Sequence, residues 1–114
     1  MDVTDQSFEQ DVIEASAAGP VVVDFWAPWC GPCHALAPVL EHAVAEREGI
    51  TLVKVNVDEN QQVSAQYGIS GIPAVKAFRN GAVVAEFVGA QPPARVAEFL
   101  DGLMGPSPLD RVVE

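Results

Sequence analysis

The order of sequence patterns predicts an α/β domain in which a mixed sheet carries helices on both faces. Three observations lead there. A continuous apolar run, Val21 to Trp26, is followed by a segment of helical period; a second β-rich run, Thr51 to Val57, follows that helix; and two further runs flank Asn80-Gly81, the strongest short hairpin sequence. The resulting order is strand, helix, strand, helix, hairpin, helix.

Each element has its own reason. Ser7 followed by Glu9 and Gln10 predicts a capped helix with an apolar stripe from Phe8 through Val12 and Ile13, closed by Gly19-Pro20. Val21-Val22-Val23-Asp24-Phe25-Trp26 is β-branched and aromatic on both faces, as in a strand covered from both sides, and one of its residues is a carboxylate. Leu36, Val39, Leu40, Ala43 and Val44 follow the 3.6-residue period to Gly49, so a long helix starts near Cys30 and is interrupted at Pro38. Asn60 to Gln66 predicts a short helix with an Asn cap, and Tyr67 to Pro73 a loop. Ala74 to Arg79 and Ala82 to Val88 form the antiparallel hairpin. Pro92-Pro93 opens a last helix striped by Val96, Phe99, Leu100 and Leu103, which Gly102 and Gly105-Pro106 should end.

The chain has 114 residues, 49% hydrophobic and 19% charged. That is one domain, expected over residues 1–104 with a short C-terminal tail at 105–114, and long enough to bury a core without covalent staples. Sixteen acidic against six basic side chains leave a net charge of -10, which repels nucleic acid and anionic membrane surfaces. Nine acids and two bases fall in residues 1–57, seven and four in 58–114, so the second half is the less repulsive. No window of about 18 apolar residues is present, and the opening Met1-Asp2-Val3-Thr4-Asp5 has neither the basic region nor the apolar run of a secretory leader. The expectation is a cytoplasmic protein with no membrane partner.

The chemistry centres on Cys30 and Cys33, the only two cysteines, at C-x-x-C spacing where a strand passes into a helix. A structural staple is a poor reason for the pair, since closing so short a loop is worth about 2 kcal/mol against about 3 for a loop of about 15 residues. A thiolate at a helix N-terminus, by contrast, faces unpaired N–H groups and the positive end of the dipole, which lower its pKa. Cys30 is therefore the nucleophile, and Cys33, one turn further in, resolves a mixed disulfide on Cys30. Structural zinc needs four ligands, and His34 and His42 are the only imidazoles, so no metal is expected. Cys30-Gly31-Pro32-Cys33-His34 also satisfies the C-x-x-C-H attachment pattern of c-type haem, with Met104 a nominal axial ligand; its position between a buried strand and a helix in a sheet-rich pattern argues against that reading.

Val22 to Cys33 in the form VVDFWAPWCGPC, then Pro38, Lys54-Val55-Asn56-Val57-Asp58, Tyr67-Gly68-Ile69-Ser70-Gly71-Ile72-Pro73, Asn80-Gly81 and Val88-Gly89-Ala90 together resemble the thioredoxin family over roughly residues 3–104. The resemblance implies the thioredoxin fold, a central mixed five-stranded sheet between two helix layers, in a monomer that reduces disulfide-containing target proteins. It also implies no bound cofactor beyond the redox-active Cys30–Cys33 disulfide, with reducing power reaching it from NADPH through thioredoxin reductase.

By the same resemblance Asp24, a carboxylate whose burial should raise its pKa, acts as general base toward Cys33, and Lys54 pairs loosely with it. The resemblance further implies that the Ile72–Pro73 bond, which from the residues alone could be trans, is cis, with Pro73 packed against the dithiol and the Ile72 backbone free for an extended substrate. Trp29, Gly31, Pro32, Ile72, Gly89 and Ala90 would form the docking surface, while Trp26, inside the strand, is packed. Three positions depart from the family: His34 where Lys is common, which weakens the positive field near Cys30; Ala74 after the proline in place of Thr; and Lys76 among strand hydrophobes. A thioredoxin-like binding or co-chaperone module with incidental cysteines is the alternative from another functional class.

Overall fold

The computed structural model describes residues 1–104. The expected break at Gly105-Pro106 and the tail at 105–114 lie outside the described residues. Four strands, β1 (Val21–Trp26), β2 (Thr51–Asn56), β3 (Ala74–Arg79) and β4 (Ala82–Val88), form one mixed sheet in the order β2-β1-β3-β4. β1 runs parallel to β2 and antiparallel to β3, and β3 and β4 form the hairpin. Helix α1 (Gly31–Ala45) crosses between β1 and β2, α2 (Gln61–Gln66) lies between β2 and β3, and α3 (Pro93–Leu103) ends the described chain.

The expected fifth strand is reduced to one bridge. Asp2 pairs in parallel with Lys54 on the open edge of β2, held by Val3 N–H to Lys54 O and Lys54 N–H to Met1 O, each 2.8 Å. The ladder stops there because the chain turns at once into a helical cap. Thr4 Oγ1 accepts from Ser7 N–H at 3.2 Å and Ser7 Oγ accepts from Thr4 N–H at 2.9 Å, a reciprocal capping box. The cap is thus Thr4, three residues before the expected Ser7. The segment it opens is a π-helical stretch, Glu9–Glu14, then a 3₁₀ turn, Ala15–Ala17.

Side-chain alternation along β1 divides the core. Val21, Val23 and Phe25 face the N-terminal helical segment and α2, where Phe8, Tyr67 and Phe78 form an aromatic triangle with ring centroids 5.3–5.7 Å apart. Val22 faces α1 and α3, packing with Leu36, Leu40, Val75, Val96 and Leu100. Helices therefore cover both faces, as the β-branched run predicts. The hairpin closes with Asn80 at φ 52° and Gly81 at φ 80°, the left-handed pair a two-residue turn needs. Lys76, whose place among strand hydrophobes suggests an incompletely covered strand face, is half-buried and ion-paired to its cross-strand partner Glu86 at 2.6 Å.

Two local expectations change. Gly102 lies inside α3, which runs to Leu103. Asn60 precedes α2 without capping it through its side chain, which accepts from Asp5 N–H at 3.0 Å and donates to Asn56 O at 3.0 Å. The cap comes instead from Asp5, 58 residues away from Val63: its Oδ1 accepts from Val63 N–H at 2.9 Å and its Oδ2 from Gln62 N–H at 3.4 Å. A helix of six residues leaves most of its first N–H groups to such partners. No helix among the described residues is long and apolar enough to cross a membrane.

One charged side chain interrupts the middle of β1. Asp24 is 1% exposed, and burial pushes its carboxyl up from the ordinary 3.8 to about 6, with Lys54 opposing the rise and Glu41 adding to it. The folded state thus holds this proton more tightly than the unfolded chain does. Stability from that preference is fully present below 3.8 and is lost as pH rises through about 6, leaving an ionised buried group that costs about 3 kcal/mol.

Two predictions follow from the caps and the buried charge. Asp5→Ala should lower stability in denaturant titration by about 1–2 kcal/mol, and an unchanged midpoint would contradict the long-range cap. Asp24→Asn should stabilise the oxidised protein by about 2–3 kcal/mol near pH 8, with the gain vanishing toward about pH 4; a gain independent of pH would contradict the burial argument.

Candidate active site

The geometry begins where β1 ends. After Trp26 the chain makes a short turn through Ala27, Pro28 and Trp29 and enters α1, whose N-cap is Cys30 with Pro32 in the first turn. Cys30 and Cys33 are joined in a disulfide with Cα atoms 5.3 Å apart. The N–H of Cys33, one of the donors the helix leaves unpaired, points at Cys30 Sγ at 3.2 Å. In the dithiol form that donor and the helix dipole favour negative charge on Cys30 over Cys33. Both sulfurs are buried, Cys30 being 4% and Cys33 2% exposed; their difference is their place relative to the first turn.

A small apolar cluster surrounds the disulfide: Ala27, Cys30 and Cys33, with Trp26, Val57 and Ile72 packed against it. The Ile72–Pro73 peptide is cis and Pro73 is buried. Gly89, at φ 90°, donates its N–H to Pro73 O at 2.8 Å, which ties the end of β4 to the proline loop. Val88 stands against Gly71 so closely that a Cβ there would lie 3.3 Å from Val88 Cγ1. Gly31, Pro32 and Ala90 are exposed, and Ile72 is half-buried. Trp29 is 71% exposed, and its Nε1 donates to Asp58 Oδ2 at 2.9 Å, which holds the ring at the surface instead of in the core. Trp26 is half-buried, in line with its place in the strand, and its Nε1 is a buried donor without a partner.

Asp24 projects from β1 on the face that α1 covers, with Oδ1 buried and unpartnered. Lys54 is its neighbour in the β1–β2 register, but the ammonium pairs with Glu41 Oε2 at 3.6 Å and lies 5.2 Å from the centroid of the Trp26 ring. The sequence reading missed Glu41, which no motif marks, and Asp58, which lies in the quoted Lys54–Asp58 run without a role assigned to it. His34 turns back over the site: its Nε2 is 2.7 Å from Pro28 O, a bond from α1 back across the turn, and its ring is edge-on to Trp26 at 6.2 Å.

The arrangement can open and close a disulfide at a helix N-terminus beside an exposed apolar surface. Among the described residues no group of three or more His, Cys, Asp or Glu side chains is placed to hold a metal ion. With both sulfurs in one disulfide, the C-x-x-C-H pattern carries no thioether link to haem.

The chain matches the Thioredoxin family model over residues 1–102. It is 48% identical over 102 residues to the thioredoxin of Pseudomonas aeruginosa, covering 89% of this chain and 93% of that protein. It is 48% identical over 100 residues to thioredoxin 1 of Nostoc sp. and 46% identical over 100 residues to the thioredoxin of Rhodospirillum rubrum, in each case covering 87% of this chain, with 92% and 94% of those proteins. With a Cys-Gly-Pro-Cys disulfide at the head of α1, the chain belongs to the thioredoxin family and is a thiol–disulfide oxidoreductase.

Proposed function

We propose that Cys30 is the nucleophile and Cys33 the resolving thiol of a protein-disulfide reductase, with Asp24 as general base. In the first step the Cys30 thiolate attacks one sulfur of a target disulfide; a Cys30–target mixed disulfide forms and the other target sulfur leaves as a thiolate. In the second step the Asp24 carboxylate takes the Cys33 proton. The Cys33 thiolate then attacks Cys30 Sγ, re-forming the Cys30–Cys33 disulfide and releasing the second target thiolate. Two electrons pass to the target. The observation that supports this assignment is the position of Cys30 Sγ as acceptor of the Cys33 N–H at the N-cap of α1, which gives two similarly buried sulfurs different surroundings.

A carboxyl titrating at about 6 suits the second step: it is largely ionised at neutral pH, yet takes up a proton far more readily than an exposed aspartate. We assign Lys54 to tuning this carboxylate, and Pro73 to shaping the wall beside the disulfide. Trp29, Gly31, Pro32, Ile72, Gly89 and Ala90 make the docking surface. β3 begins only at Ala74, so the Ile72 backbone is available to pair with an extended target segment. None of these six residues is charged, and the carboxylate placed beside them is Asp58, hydrogen-bonded to Trp29.

The oxidised protein must be recharged by a dithiol donor. We assign that role to a thioredoxin reductase drawing on NADPH, in the cytoplasm, where thiols are kept reduced. The protein acts as a monomer with no bound cofactor, since every group in the two steps comes from one chain.

NADPH-linked insulin reduction with a thioredoxin reductase tests the assignment. Cys30→Ser should fall to the uncatalysed rate. Cys33→Ser should accumulate a mixed disulfide visible by mass spectrometry; wild-type turnover by Cys30→Ser, or no trapped adduct with Cys33→Ser, would overturn the division of roles.

A further inference from the structure

Asp24 and Lys54 are register partners on adjacent parallel strands, about 4.8 Å apart, and their side chains leave on the same face of the sheet. A lysine stem is long enough to bring its ammonium to that carboxylate. It does not do so: Asp24 Oδ1 is buried and unpartnered, while the Lys54 ammonium stands 3.6 Å from Glu41 Oε2 and over the Trp26 ring. A buried acceptor left unpaired beside an available donor calls for a physical reason. Glu41 supplies it, as a competing carboxylate in α1 at the outer end of the lysine. Its side chain is 56% exposed, so the pair it makes is worth under about 1 kcal/mol to the fold.

We propose that Glu41 is a positioning residue that holds the Lys54 ammonium over Trp26 and away from Asp24, leaving the buried carboxylate free to exchange a proton with Cys33. The consequence for catalysis rests on the general-base reading of Asp24; the placement of Lys54 does not. The groups acting on Asp24 are few. Lys54 comes from β2 and Glu41 from α1, Val75 of β3 lies opposite and is uncharged, His34 is edge-on to Trp26, and Cys30 and Cys33 titrate only after reduction.

The test is the titration of the Asp24 carboxyl, followed by isotope-edited NMR in the oxidised protein, where the cysteines are silent. Glu41→Gln should lower the midpoint by about half a pH unit as Lys54 swings inward, and in a Lys54→Met background the same substitution should shift it by half as much or less. No shift, or an equal shift in both backgrounds, would overturn the inference, the latter by showing that Glu41 acts through space and not through Lys54. The pH profile of mixed-disulfide resolution, read on the same proteins, separates the two claims. If the carboxyl midpoint moves with Glu41→Gln and the resolution profile does not, Glu41 positions Lys54 as inferred and the general-base reading fails.

Discussion

A single carboxylate in a strand buried on both faces is the constraint around which this molecule is arranged. β1 must be apolar because the N-terminal segment and α2 cover one face and α1 and α3 the other, and Asp24 sits in the middle of it. Burying an ionised group without a partner is costly, so evolution toward stability alone would favour an apolar or amide side chain there. The carboxylate is tolerable because its proton can come and go near neutral pH, and the proposed use of that proton is in resolving the mixed disulfide. Stability and chemistry therefore meet at one residue.

The rest of the site is placed by the ends of elements whose interiors are ordinary. β1 delivers the chain to Ala27, the turn exposes Trp29, and α1 receives Cys30 as its cap, so a backbone donor faces sulfur without any dedicated side chain. The loop before β3 brings Ile72 against the same cluster, and the Gly89 N–H locks the far strand to Pro73 O. Asp58 holds Trp29 outward by its indole nitrogen. The surface that results is apolar at its centre in a strongly acidic protein.

Much of this was legible in the sequence because it is local. Continuous β-branched runs mark the strands, the 3.6-residue period the helices and Asn80-Gly81 the hairpin, and the strand-to-helix position of Cys30-Gly31-Pro32-Cys33 points to dithiol chemistry. What the sequence did not disclose is what depends on distant partners. Asp5 caps a helix that begins at Gln61, and the first helix is capped at Thr4 because the chain leaves a one-bridge strand just before it. The fifth strand is lost for the same reason. Glu41 on α1 and Lys54 on β2 meet only through the packing of a helix on a sheet, and nothing in the spacing of either residue announces it.

The most direct test of the account is single-turnover kinetics. A mixed disulfide preformed on Cys30 would be followed as Cys33 resolves it, across pH, in the wild type and in Asp24→Asn. The account predicts that the wild-type rate rises through a midpoint near the Asp24 titration, about 6, and that Asp24→Asn loses this rise and resolves more slowly at neutral pH. A superimposable profile in the two proteins would contradict the claim that the buried carboxylate moves the Cys33 proton.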